Sequence, residues 1–188
     1  MPPPPKPEPP LEMFFTTNSL RNTTLAVDDD TAFFEIVTRF WHPRLTKIFK
    51  LDKEAREMTL VAEIERDPGK NPRVRFGGEH GEWVSASEFL KWDPETRGGT
   101  WSDIDGTEYR WKSHKRYLQL VKADDVQKTP IAKYRTCTRH LFVFNMRRHA
   151  ALLIHKEATG YMDRLIVSYL LVEKRRRDLR LRAKVNLS

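Results

Sequence analysis

Residues 162–172 read M-D-R-L-I-V-S-Y-L-L-V, and the charged run Glu173-Lys174-Arg175-Arg176-Arg177 follows directly. Positions 165–167 and 169–172 are apolar whichever way the segment is turned, so it is to be buried on every side. No Gly or Pro falls between Asp163 and Arg182, and that length favours a helix over a strand. Asp163 near its start and arginines towards its end suit the helix dipole. A final strand over Leu165–Val172 is the alternative, because Ile166, Val167 and Val172 are β-branched. The block is too short to span a bilayer, which takes about 20 apolar residues.

The chain before this block has another texture. From Met13 onward, short runs rich in Phe, Thr, Val and Ile alternate with turn residues. Strands are expected at 13–17, 23–27, 31–39, 45–51, 58–65, 73–76, 101–104, 107–112, 117–122, 131–138, 140–145 and 150–155. In 58–65, Met58, Leu60, Ala62 and Ile64 alternate with Thr59, Glu63 and Glu65, the pattern of a half-buried strand. Asp28-Asp29-Asp30 and Asp67-Pro68-Gly69 are turn signals, and Asp105-Gly106 marks a hairpin. Ser85-Ala86-Ser87-Glu88 has the form of a capping box opening one helical turn. There is no βαβ rhythm and no internal repeat.

Within 188 residues, 39% are hydrophobic and 32% charged, enough for one domain with a core. Residues 1–12 are proline-rich and read as a disordered or polyproline II leader. A single cysteine, Cys137, excludes an internal disulfide. The proline-rich start has no apolar stretch of a secretory signal, so an intracellular location is expected, cytoplasmic, nuclear or peripheral to a membrane. The net charge of +8 is concentrated after residue 172, where Lys174, Arg175, Arg176, Arg177, Arg180, Arg182 and Lys184 face only Glu173 and Asp178. The domain is therefore expected over 13–178, with its helix at about 162–178 and a basic tail over 179–188.

Several segments together resemble a known group. They are Asn22-Thr23-Thr24-Leu25 before the Asp28–Asp30 turn, and Ala62-Glu63-Ile64-Glu65 before Arg73-Val74-Arg75-Phe76. Asp105-Gly106 before Tyr109-Arg110-Trp111-Lys112 follows, then Asp163-Arg164-Leu165-Ile166-Val167 through Val172-Glu173-Lys174. In order and spacing the chain resembles an uncharacterised fungal domain family related to the tubby C-terminal, phospholipid scramblase and LURP-one-related proteins. The resemblance implies a mainly β fold, a closed antiparallel barrel of about 12 strands with the C-terminal hydrophobic helix through its centre. It also implies an affinity for phosphoinositide headgroups or for membranes.

Candidate chemistry is sparse. Cys137-Thr138-Arg139-His140 has half the spacing of a zinc site, with no second half to complete it, so no metal is expected. Asp103-Ile104-Asp105-Gly106 opens like a calcium loop, but His114 stands where the bidentate Glu belongs. No nucleophile motif or phosphate-binding glycine loop is present. The expectation is a binding module without catalysis or cofactor. Its candidate anion- or lipid-binding residues are Lys112, Lys115, Arg116, Arg147, Arg148, Arg175, Arg176 and Arg177, three clusters that a closing sheet can gather at one rim. Anionic lipid headgroups are the expected partner. A nucleic-acid or protein adaptor using the basic tail is the alternative. The oligomeric state is not legible.

Overall fold

The computed structural model describes residues 8–27, 33–52, 54–114, 117–136, 138–139, 147–148 and 150–185. The first half of the chain forms β1 (Leu11–Phe15), β2 (Thr23–Ala26), β3 (Phe33–Thr38), β4 (Leu45–Asp52), β5 (Glu57–Glu65), β6 (Arg73–Phe76) and β7 (Val84–Ser85). A four-residue helix, α1 (Ala86–Phe89), leads to β8 (Lys91–Asp93), β9 (Gly98–Ser102), β10 (Glu108–Ser113), β11 (Tyr117–Lys122) and β12 (Ala132–Arg135). Two short strands, β13 (Thr138–Arg139) and β14 (Arg147–Arg148), pair with each other before β15 (Ala151–Ile154) and the long helix α2 (Met162–Val185). The expected strand 140–145 and the Asp28–Asp30 turn lie outside the described residues.

Thirteen strands form one antiparallel sheet in the order β7-β6-β5-β4-β3-β2-β1-β15-β12-β11-β10-β9-β8. It wraps α2. Phe15 of β1, Trp111 of β10 and Tyr134 of β12 all meet the Tyr169 or Ser168 side chain, and Phe76 of β6 meets Arg164. Leu165 to Leu170 are buried without interruption, as an element apolar on all faces requires. The helical reading of the 162–172 block therefore holds. The helix does not stop near residue 178 but continues to Val185.

The expected closed barrel is not what forms. In an antiparallel order of thirteen strands the two edge strands, β7 and β8, run the same way. Joining them by hydrogen bonds would take a parallel pair, which needs a crossover of about a dozen residues or more. Here only residues 86–90 connect them, and among the described residues no ladder joins β7 to β8. The seam is covered instead by α1. Its capping box is made as the sequence indicates, with the Ser85 hydroxyl accepting from the Ser87 N–H and Glu88 accepting from the Ser85 N–H. Phe89 then packs on Phe76 of β6 and Trp101 of β9, at centroid distances of 5.0 and 6.0 Å, and so bridges the two sides.

Two local features depart from simple alternation. The β4–β5 register skips Val61 between Ile48↔Ala62 and Phe49↔Leu60, so the run 58–65 contains a bulge and Met58 and Leu60 are only partly buried. At the start of β9, a Cβ on Gly98 would lie 1.8 Å from the Trp111 carbonyl oxygen, so only glycine allows that approach.

Candidate functional site: a basic end with a cleft at the seam

Because neighbouring strands are antiparallel, successive connections fall at alternate ends of the sheet. The connections β1–β2, β3–β4, β5–β6, β8–β9, β10–β11 and β12–β15 share the end where α2 emerges. Arg177 donates there to the Asn18 carbonyl at 2.7 Å, and Arg176 to the His114 carbonyl at 3.2 Å. The start of α2 is tied to the other end through Lys50 to Asp163 (3.1 Å) and Arg164 to the Ser102 carbonyl (3.1 Å).

The two ends differ in charge. Where α2 emerges, the connections carry Arg21, Arg39, Arg44, Arg66, Lys70 and Arg97 against Asp67 and Glu95. At the opposite end they carry Glu54, Glu79, Glu82, Asp103, Asp105, Asp124, Asp125 and Glu157 against Arg56, Lys128 and Lys156. Such a separation produces a field that orients the molecule towards anionic partners.

A cleft of about 320 Å³ opens at the basic end of the seam, lined by Arg66, Pro72, Leu90, Trp92, Leu171 and Arg175, with Lys174 and Asp178 paired at its edge. Each wall follows from an element above. Leu90 and Trp92 come from the chain leaving α1. Leu171 and Arg175 are one turn apart on the helix face that the unclosed seam leaves uncovered. The Arg175 guanidinium lies over the Trp92 ring at 4.3 Å, a cation–π contact that fixes its direction. Arg66 donates to the Thr46 hydroxyl at 2.8 Å. Among the described residues no carboxylate comes within ion-pair distance of it. Burial, and then the nearby Arg21, pull its pKa down to about 10. It therefore stays charged at neutral pH, attracted only partly by Asp178, which is beyond ion-pair distance and already paired with Lys174, an arrangement that an anion in the cleft relieves.

The residues expected from sequence to bind anions divide. Arg175 lines the cleft. Arg176 is buried and pairs with Glu173 at 2.7 Å, and Arg177 reaches the same carboxylate at 3.0 Å. Burial outweighs Glu173 and pulls the Arg176 pKa down, whereas the bonds to Glu173 raise that of Arg177 despite burial. These two arginines tie α2 to the surrounding connections, and each also lines a neighbouring hollow, Arg177 with Trp92, Arg97 and Arg180, and Arg176 with Arg97, His114 and Arg180. Lys112 points outward from β10, where burial and then Lys128 and Arg110 lower its pKa. It does not join the helix arginines. Arg147 and Arg148 form β14 on the β12–β15 connection, at the basic end; their side chains, and all of Lys115 and Arg116, lie outside the described residues.

Residues 18–178 match the sequence model of a family of unknown function, DUF6593. The chain belongs to that family. Neither the curated proteins nor the solved structures yield a match, and the family match itself shows no link to tubby, scramblase or LURP-one-related proteins. Membership in DUF6593 carries no activity, so the function has to be argued from the cleft. Arg66, central to it, was missed in sequence because a lone arginine after β5 has no motif. Only the fold sets it against Arg21 and α2. Among the described residues no three His, Cys, Asp or Glu side chains gather at a metal-binding spacing, and Cys137 and His140 lie outside them. No described helix is long and apolar enough to cross a membrane.

Proposed function

We propose that this DUF6593 protein is a non-catalytic binding module that takes phosphate-bearing headgroups of an anionic membrane at its basic end. The observation that carries the reading is Arg66, a charged guanidinium facing the seam cleft beside Arg21 and Arg175, with no carboxylate at ion-pair distance among the described residues. The charge separation between the ends supports it, since attraction to an anionic leaflet is about 1 kcal/mol per basic residue near the surface. The resemblance to tubby and scramblase-like domains points the same way and implies a peripheral location on an intracellular membrane.

Co-sedimentation with vesicles tests it. At about 0.15 M salt the protein is expected to pellet with phosphatidylcholine vesicles containing phosphatidylserine or a phosphoinositide, and not with phosphatidylcholine alone. Arg66→Gln, which keeps a donor for Thr46, should weaken that binding several-fold. Equal pelleting with neutral and anionic vesicles would overturn the reading. Tighter retention on duplex DNA, lost on deleting residues 179–188, would favour a nucleic-acid adaptor instead.

A further inference from the structure

The connection between β3 and β4 carries an aromatic pair that the cleft does not use. Phe40 is 94% exposed and Trp41 is 66% exposed. The turn beneath them is well built. The His42 N–H donates to the Arg39 carbonyl at 3.0 Å, and the Leu45 N–H to the His42 carbonyl at 3.1 Å. The Arg21 guanidinium donates to the Pro43 carbonyl and ties the turn to the β1–β2 connection. Phe40 and Trp41 therefore hold the two central positions of a hydrogen-bonded turn, where Pro, Gly, Asn and Asp are favoured. Local preference is broken to present two large apolar side chains, and such breaks concentrate at functional positions.

Their surroundings identify the occupant. Arg39, whose guanidinium lies 5.5 Å from the Trp41 ring centroid, and Arg44 flank the pair, and Arg21 and Arg66 lie on the same end. Elsewhere, Ile104 and Val126 are comparably exposed, but singly, beside Asp103, Asp105 and Asp125 at the acidic end, while Leu181 and Val185 stand a turn apart at the end of α2, among Arg180, Arg182 and Lys184 at the basic end. Isolated exposed apolar residues are ordinary surface. Adjacent Phe and Trp set among cations match the interfacial layer of an anionic bilayer, where aromatic rings sit at headgroup depth and cations are held by surface potential. A weak insertion and a basic patch acting together give stable membrane attachment where neither suffices alone.

We propose that Phe40 and Trp41 insert into the headgroup–acyl boundary of an anionic bilayer, holding the basic end of the protein against the membrane. This rests on the anionic-membrane reading above and adds the depth and orientation of the contact.

The test uses the full chain, vesicles of phosphatidylcholine with and without phosphatidylserine, and a matched set bearing brominated acyl chains that quench tryptophan. Phe40→Ala/Trp41→Ala is expected to weaken binding to anionic vesicles about tenfold or more with its melting transition unchanged, because both side chains are exposed. Trp41→Phe should keep the binding and lose most of the quenching, which assigns the inserted ring to position 41. Ile104→Ala/Val126→Ala, at the other end, should bind as the parent does. If the parent binds anionic vesicles and the double alanine variant binds equally, insertion is overturned while the headgroup reading stands. If the acidic-end variant loses as much, the orientation is wrong. If the parent binds no anionic vesicle, both readings fall together.

Discussion

Glu173 and Arg176 lie one turn apart on α2, with 2% and 3% of their side chains exposed. In sequence they belong to the charged run behind the apolar block, and Arg176 reads as one of three interchangeable surface cations. Folding separates the three: Arg175 faces the cleft, Arg176 is buried, and Arg177 spans from Glu173 to Asn18. Position along a helix sets direction, but which direction is interior depends on where the sheet lies, and no local signal carries that. Glu173→Gln removes the charge that Arg176 needs and should destabilise the protein by about 3 kcal/mol, read as a lowered denaturant midpoint. Lys50→Ala, which breaks the more exposed pair to Asp163, should cost less than about 1 kcal/mol. Equal costs for the two would mean that Arg176 is not truly desolvated.

At the scale of elements, α1 is the clearest case of local chemistry serving a distant need. The capping box at Ser85–Glu88 was legible because it requires only two side chains and one turn of backbone. Its purpose was not, since β7 and β8 are two and three residues long and carry almost no periodic signal. The helix stands where an odd number of antiparallel strands cannot close on itself. Phe89→Ala removes the ring that spans Phe76 and Trp101, and the expected cost is about 3 kcal/mol. Native-state hydrogen exchange should then speed up across residues 84–93 while β4 and β5 keep their protection. Uniform acceleration along the chain would show that the seam is no weaker than the rest of the sheet.

For the molecule as a whole, the core around α2 is rich in tyrosine, and this has a consequence at high pH. Burial raises the phenol pKa values of Tyr134, Tyr161 and Tyr169, with Tyr109 adding to the shift of Tyr161, and Tyr134 and Glu173 to that of Tyr169. A buried phenol is neutral only while protonated, so above about pH 10 the folded state binds more protons than the unfolded one. Stability then falls as pH rises. It should be flat through the neutral range and be lost above about pH 10 as these groups are forced to ionise. Far-ultraviolet circular dichroism and tyrosinate absorbance, followed together, should show their ionisation arriving with loss of structure. Free ionisation of all the tyrosines near pH 10 with the fold intact would contradict this account.

By itself the sequence determined most of the elements, though not the short edge strands β7 and β8. Thr-, Val- and Phe-rich runs became strands, the all-round apolar block became an enclosed helix, and Ser85–Glu88 became a cap. Each of these is set by near neighbours along the chain and by a period that composition makes visible. The tertiary structure decided that the sheet has an odd strand count and remains unclosed, that α2 carries its basic residues on to Val185 as helix, and that Arg66 faces a cleft with no carboxylate at ion-pair distance among the described residues. It also brought the connections bearing Arg21, Arg39, Arg44 and Arg66 to one end. Those outcomes depend on strand order and on which ends of distant segments meet, and antiparallel pairing over long separations leaves no trace in a local pattern.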